Sequence, residues 1–129
     1  MLVVDTNVVV YLLTQTDKTA AARRLWATDP DWWAPRLLVY ELANVFTRLV
    51  RTQGLPPRAA VAGLETGTRV IRLLQQEPSA GRFLEIAAAL NLSAYDAAYL
   101  AAAEKLRVPL VTEDGRLLRA APQLTRPLA

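Results

Sequence analysis

The sequence predicts an α/β protein whose central parallel sheet carries helices on both faces. Short apolar runs rich in β-branched residues, such as Leu2–Val4, alternate with longer segments in which apolar residues recur at helical spacing. That alternation is typical of βαβ units, whose right-handed crossovers bring the carboxyl ends of the strands to one edge of the sheet. The chain has 129 residues, 53% of them hydrophobic, so it can bury a core, and we expect residues 1–129 to form a single domain.

The first half of the chain contains two predicted strands, each a short apolar run, and four predicted helices. Asp17 is a plausible N-cap for the second helix, and an Asp-Pro pair at 29–30 ends it. The third helix has apolar residues at helical spacing and is closed by Gly54, and a Pro-Pro pair at 56–57 opens the fourth. The predicted elements are strands 2–4 and 32–34 and helices 7–13, 17–28, 36–52 and 57 to about 66.

The second half of the chain continues the alternation. Asn91 is a suitable end for one helix, and the helix after it is rich in alanine. Short apolar runs before and after these two helices predict further strands. The predicted elements are strand 69–73, helices 78–90 and 94–106, strand 108–111, helix 115–121 and an edge strand at 124–128.

The composition excludes several kinds of active site. Without cysteine there is no disulfide framework and no thiolate metal site, and without histidine there is no Ser-His-Asp triad and no imidazole ligand. Uninterrupted apolar stretches such as 8–13 are far shorter than the roughly 18 residues of a membrane span. No basic region precedes the first apolar run, so no signal peptide is predicted. We expect a cytoplasmic protein with no membrane segment.

The charge of the chain suits a nucleic-acid partner. The formal net charge is +3, and all of the 15 basic residues except Lys18 and Lys105 are arginine, which binds phosphate with two parallel hydrogen bonds. The alternative is a genomic bias toward arginine codons, which would carry no functional meaning.

Two acidic residues lie where the predicted structure is apolar. Asp5 follows the first strand directly, so it either caps the next helix or points at the functional edge of the sheet. Glu41 lies on a helix face with Leu37 and Val45, and glutamate is rarely buried unless it is paired. The alternative for Glu41 is a position at the margin of the apolar stripe, from which it reaches solvent.

Two further acids lie at predicted junctions. Asp96 ends a Ser-x-x-Asp sequence before an apolar helix, which is also the pattern of a capping box. Asp114 follows the strand that ends at Thr112, within an Asp-Gly pair that is common in turns. Glu113 competes with Asp114, and we prefer Asp114 because a carboxylate two residues beyond the strand can turn back toward the sheet edge.

If these four acids converge, their mutual repulsion raises their pKa values unless a cation lies between them. Because only oxygen ligands are available, the composition favours Mg²⁺ or Mn²⁺. Such an ion, or a pair about 4 Å apart, supports hydrolysis of a phosphodiester bond. The four residues are Asp5, Glu41, Asp96 and Asp114.

Three segments resemble a PIN-domain ribonuclease of the VapC toxin type: VVDTNVVVYLL at 3–13, PRLLVYELANVFTRL at 35–49 and LSAYDAAYLAAAEKLRVPLVTEDGRL at 92–117. The resemblance implies a three-layer α/β/α fold with about five short parallel strands and metal ligation by the four acids. It implies supporting roles for Asn7, Ser93 and Thr112. It further implies cleavage of RNA, repression by a cognate antitoxin of a type II toxin–antitoxin system, and a homodimer.

Two arginines next to predicted ligands, Arg36 and Arg116, are candidates for contacts with RNA phosphates, although solvated surface arginines are an equally good interpretation. Two other functions stay open. A non-catalytic PIN-like module would bind RNA or protein without cleaving. A phosphatase with an aspartyl nucleophile would need a second acid where Asn7 stands and a late lysine at a strand end, whereas Lys105 lies within a predicted helix.

Overall fold

The computed structural model describes residues 1–129 and contains one parallel sheet of five short strands. The order across the sheet is β3-β2-β1-β4-β5, so β1 is central, with Val3 paired to Trp33 on one side and Leu110 on the other. The predicted α/β class with its parallel sheet is therefore confirmed. The strands are β1 (Leu2–Val4), β2 (Trp32–Ala34), β3 (Arg72–Leu73), β4 (Leu110–Val111) and β5 (Thr125–Arg126).

Seven helices form the outer layers. They are α1 (Thr6–Leu13), α2 (Thr19–Thr28), α3 (Leu37–Gln53), α4 (Pro57–Val70), α5 (Ala80–Leu90), α6 (Ala94–Leu106) and α7 (Gly115–Ala120). Right-handed crossovers on this strand order place α1 to α4 on one face and α5 to α7 on the other. The packing agrees with this, because α1 contacts α2, α3 and α4, while α5 packs on α6. The result is the expected three-layer α/β/α fold.

The core lies on both faces of the central strands. Every residue of β1 and β4 is buried, and so is Trp32 of β2. On the second face, α6 buries a continuous run from Ala97 to Ala103, which a helix does when it is covered on nearly all sides. Its small alanine side chains let α6 pack closely against β1, β4 and α5. This close approach places the start of α6 near the carboxyl end of the sheet.

The structure corrects several predicted element boundaries. Helix α4 continues to Val70 rather than ending near Thr66, so β3 starts at Arg72 and the predicted strand 69–73 is too long. Strand β4 has two residues rather than the four of 108–111, because the Val108 N–H still bonds to the Ala103 carbonyl at the end of α6. The edge strand β5 is also shorter than the predicted strand 124–128.

The predicted cap at Asp17 is wrong. Helix α2 starts at Thr19, and its Oγ1 accepts the Thr16 N–H at 2.9 Å and donates to the Thr14 carbonyl at 2.7 Å. The preceding turn is thus held by threonine hydroxyls and not by a carboxylate. The predicted ends at Gly54 and Asn91 are confirmed, and both residues have the left-handed backbone of a helix C-cap.

None of the helices is by itself long and apolar enough to span a membrane, and only α5 and α6 together, with a 111° bend between them, reach that length and composition.

Candidate active site

The four predicted acids line a single cavity of about 100 Å³ beyond the carboxyl ends of β1 and β4. They come from four separate places: the end of β1, the second turn of α3, the first turn of α6 and the start of α7. The cavity is lined by Asp5, Thr6, Asn7, Glu41, Asp96, Tyr99, Asp114 and Leu117. The fold therefore brings together residues that span more than a hundred positions of the sequence.

Asp5 fills both of the roles that its sequence position suggests. Its Oδ1 caps α1 by accepting the Val8 N–H at 3.1 Å, and its Oδ2 accepts the hydroxyl of Thr112 at the end of β4. Burial raises the pKa of Asp5 to about 6, although these two hydrogen bonds lower it. The negative charges of Asp114 and Asp96 raise it further. Burial, more than the mutual repulsion expected from the sequence, is thus the main cause.

Glu41 is held by hydroxyl groups. Its Oε1 accepts from Thr6 Oγ1 at 2.9 Å and from the Tyr99 hydroxyl at 2.7 Å, and these two hydroxyls are 2.8 Å apart. Thr6 is 8% exposed and Tyr99 is 3% exposed, so the bonds are shielded from water. Burial, together with the nearby charge of Glu41, raises the pKa of the Tyr99 hydroxyl far above its ordinary value. Glu41 is therefore paired, and does not simply reach solvent from the margin of an apolar stripe.

The sequence did not single out Thr6 or Tyr99 as functional residues. Each has a local signal in retrospect: Thr6 follows Asp5 directly, and Tyr99 lies three residues after Asp96, on the same side of α6. In each case a hydroxyl-bearing residue stands among apolar residues beside a candidate ligand. This pattern could have indicated a functional role for Thr6 and for Tyr99.

Asp96 and Asp114 face each other across the mouth of the cavity. Ser93 caps α6 by accepting the Asp96 N–H at 3.0 Å, which leaves the Asp96 carboxylate free of that task. Asp114 caps α7 by accepting the Arg116 N–H at 2.8 Å. Burial raises the pKa of Asp96, the charge of Asp114 raises it further, and the charge of Arg116 lowers it.

The remaining predicted residues have distinct surroundings. Thr112 is fully buried and joins two acids, because its hydroxyl donates to Asp5 and accepts the Asp114 N–H at 3.0 Å. Asn7 lines the cavity and is exposed, with its side chain bonded to none of the acids. Glu113 lies apart from the cavity, where its carboxylate pairs with Lys18 at 3.2 Å and accepts the Leu128 N–H.

The two predicted phosphate-binding arginines differ from each other. Arg116 is 67% exposed, and its Nη2 lies between the carboxylates of Asp96 and Asp114. Arg36 is outside the cavity lining, and its guanidinium donates to the carbonyls of Leu74 at 3.0 Å and Gln75 at 3.3 Å. Arg116 is thus beside the acids, whereas Arg36 holds the segment that follows β3.

The donor chemistry of the cavity fits a hard divalent cation. Four carboxylates from four elements line it, with no nitrogen or sulfur ligand, and hard oxygen donors are what Mg²⁺ and Mn²⁺ prefer. As the side chains stand, no three of them are grouped closely enough to hold an ion together. Ion binding would therefore require the side chains to move toward one another.

Comparison with known proteins agrees with this architecture. The chain superposes on PAE2754 from Pyrobaculum aerophilum with a TM-score of 0.81 and 23% identity, covering 98% of this chain and 87% of that one. It also superposes on a toxin–antitoxin complex from Klebsiella pneumoniae, with a TM-score of 0.72 and 16% identity over 100% and 98% of the two chains. FitAcB from Neisseria gonorrhoeae gives 0.70 and 19% over 97% and 96%.

No curated protein sequence matches the chain significantly. The structural similarities, all below 25% identity, establish the fold alone. The profile of the PIN domain family, however, matches residues 2–122, which is nearly the whole chain and includes all four acids. The protein belongs to the PIN domain family.

Proposed function

We propose that this protein is a metal-dependent endoribonuclease, acting as the toxin of a toxin–antitoxin pair. The observation that carries the proposal is the convergence of Asp5, Glu41, Asp96 and Asp114 on one cavity in a chain of the PIN domain family. PIN domains are nuclease-type hydrolases, so the acids have a chemical reason to be there. We propose that residues 1–129 act as a single nuclease domain.

These four carboxylates would hold one or two Mg²⁺ or Mn²⁺ ions. A bound ion supplies Lewis-acid chemistry, which lowers the pKa of water and neutralises the charge that develops on a phosphodiester. The chain itself orients the acids: the Thr112 hydroxyl holds Oδ2 of Asp5, and the helix caps at Ser93 and Asp114 set the directions of α6 and α7. Arg116 at the cavity mouth would attract the RNA phosphate.

RNA as substrate is supported by charge. The chain has a net charge of +3 and thirteen arginines, and phosphate contacts dominate the affinity of proteins for nucleic acids. Arg36 is the weaker candidate for a phosphate contact, because two of its donor nitrogens are already bonded to backbone carbonyls.

The structural neighbours support an antitoxin as a partner. The Klebsiella pneumoniae structure is a toxin–antitoxin complex, and a related fold occurs in VapBC2 from Rickettsia felis bound to a promoter DNA fragment. We propose that a cognate antitoxin represses this protein, that it forms a homodimer, and that it works in the cytoplasm, where its RNA substrate would be found.

The test is cleavage of a fluorogenic single-stranded RNA by the purified protein. We expect cleavage in Mn²⁺ or Mg²⁺ and none in EDTA, with Asp5→Asn and Asp96→Asn reducing the rate at least about 100-fold. Glu113→Gln is the matched control, because Glu113 lies in the same segment as Asp114 but outside the cavity. It should keep the wild-type rate. Equal cleavage with and without EDTA would exclude the metal-dependent mechanism.

The same assay separates the two alternatives. Tight RNA binding without cleavage would indicate a non-catalytic module. Release of phosphate from small monoesters, without RNA cleavage, would indicate the aspartyl phosphatase. The structure supplies no lysine for that reaction: Lys105 lines a different cavity with Trp33 and Arg72, and Lys18 is paired with Glu113.

A further inference from the structure

Glu41 is distinguished from the other three acids by the groups that hold it. Both of its hydrogen-bond donors are neutral hydroxyls, Thr6 Oγ1 and the Tyr99 hydroxyl, and both reach the same oxygen, Oε1. We propose that Thr6 and Tyr99 are positioning residues, which fix the Glu41 carboxylate so that it can bind the divalent ion. This inference rests on the proposed function.

The three residues link the two helical layers, which lie on opposite faces of the sheet. Glu41 lies on α3 in one helical layer, Tyr99 lies on α6 in the other, and Thr6 starts α1 directly after the central strand. Helix α3 packs mainly on α4 and α1, and α6 mainly on α5 and the sheet. The hydrogen bond between Tyr99 and Glu41 therefore connects the two layers across the carboxyl edge of the sheet.

The same three elements also carry three of the four acids. Asp5 precedes Thr6, and Asp96 lies one helical turn before Tyr99. Hydrogen bonds among Thr6, Tyr99 and Glu41 thus set the relative positions of the backbone segments that bear Asp5, Glu41 and Asp96. Removing either hydroxyl donor to Glu41 would change the position of its carboxylate relative to the other candidate ligands.

The type of donor matters as much as its position. A neutral hydroxyl holds a carboxylate oxygen without cancelling its charge, whereas an arginine would neutralise it, as Arg116 does in part for Asp96 and Asp114. Because both donors use Oε1, Oε2 is left for the cavity and keeps its attraction for a cation. Fixing the side chain in advance also reduces the conformational entropy lost when the ion binds.

The experiment measures Mn²⁺ binding to the protein without RNA, by the electron paramagnetic resonance signal of free Mn²⁺. Tyr99→Phe and Thr6→Val each remove one hydroxyl and keep the shape of the side chain. Each should raise the Mn²⁺ dissociation constant by about 10- to 100-fold, and Thr6→Ser should restore binding to near the wild-type value. Tyr40→Phe is the matched control, because Tyr40 directly precedes Glu41 in α3 but its side chain is 76% exposed.

A double-mutant cycle separates positioning from a general structural effect. Tyr99→Phe should weaken binding in an Asp114→Asn background but should add little in a Glu41→Gln background, because its effect passes through Glu41. Thermal melting in EDTA identifies variants that fail to fold. If Tyr99→Phe is one of them, the Thr6→Val and Thr6→Ser pair decides the question.

Wild-type Mn²⁺ affinity in both Tyr99→Phe and Thr6→Val would overturn the inference and leave the proposed function intact. Equal loss from Thr6→Val and Thr6→Ser would also overturn it, because the hydroxyl would then be irrelevant. A wild-type protein that binds no Mn²⁺ and cleaves no RNA would overturn the proposed function, and this inference with it.

Discussion

The guanidinium Nη2 of Arg116 lies 3.4 Å from Oδ2 of Asp96, at the mouth of the acidic cavity. The same nitrogen is 3.6 Å from a carboxylate oxygen of Asp114, so one positive charge lies between two of the four candidate ligands. Arg116 partly compensates the repulsion between these two acids. An ion bound by these acids, as proposed above, would compete with this arginine, which is exposed.

Replacing Arg116 should therefore favour metal binding and disfavour RNA binding. We expect Arg116→Gln to tighten Mn²⁺ binding about two- to fivefold at low salt, a small effect because exposed ion pairs are weak. The KM for RNA should rise, since a phosphate-binding charge is lost. Mn²⁺ titration and steady-state kinetics measure the two effects. Arg119→Gln is the control: Arg119 lies on the same helix without an acidic partner, so the change should alter neither the Mn²⁺ affinity nor the KM for RNA. Weaker Mn²⁺ binding in Arg116→Gln would contradict the prediction.

Thr112 connects the ends of β1 and β4 through one hydroxyl group. Thr112→Val keeps the shape but removes the donor to Asp5 and the acceptor for the Asp114 N–H, both in a buried setting. The free energy of unfolding should fall by about 1–3 kcal/mol, the cost of unpaired buried polar groups. Thr112→Ser retains the hydroxyl and should lose less. Urea unfolding in EDTA measures both, and equal losses would show that packing, not hydrogen bonding, is the cause.

The free energy of unfolding should depend on pH because Asp5 is buried when the chain folds. Its pKa rises from 3.8 to about 6 on folding, so between these values the folded protein holds a proton that the unfolded chain has released. Stability in EDTA should therefore fall as the pH rises through this range, by about 2–3 kcal/mol from Asp5. The raised pKa of Asp96 acts in the same direction, whereas the lowered pKa values of Asp29 and Glu104 act oppositely, at lower pH.

Urea unfolding at a series of pH values, with the protein kept free of metal, tests this behaviour. Asp5→Asn has no carboxyl group to titrate at this position. The decline in its free energy of unfolding between pH 4 and pH 6 should therefore be much smaller than that of the wild type. A variant with the same profile as the wild type would show that Asp5 is not the responsible group.

Gly67 is required where α4 packs closely against α1 and α3. A Cβ at this position would lie 2.6 Å from Cδ2 of Leu42 and 3.1 Å from Cδ1 of Leu13. Because Leu42 is completely buried, it has little room to shift, and Gly67→Ala should cost about 1–2 kcal/mol despite its better helix propensity. Gly81→Ala, whose Cβ would meet nothing closer than 3.9 Å, should be neutral or stabilising by up to about 1 kcal/mol. Thermal or urea unfolding compares the two, and similar effects would contradict the packing argument.

The positions of Asp5, Asp96 and Asp114 could be predicted because each depends on a short pattern: a strand that ends, a capping sequence or a turn. Asp5 and Asp114 each cap a helix and also line the cavity. In Asp5 one carboxylate oxygen accepts from Val8 and the other from Thr112. The preference for Asp114 over Glu113 agrees with the cavity lining. The partners of Glu41 could not be predicted, because Thr6 and Tyr99 are 35 and 58 residues away in the sequence.

The sequence by itself determined the order of helices and strands, the parallel sheet and the four acids near its carboxyl edge, because periodicity, caps and turn residues act over a few positions. Only the tertiary structure decided how short the edge strands are, which hydroxyls hold Glu41, and that Arg36 bonds to the carbonyls of Leu74 and Gln75 while Arg116 stands between two acids. These features depend on which distant segments of the chain come into contact and on how far the contact excludes water. Both are properties of the assembled fold and not of any short stretch of sequence.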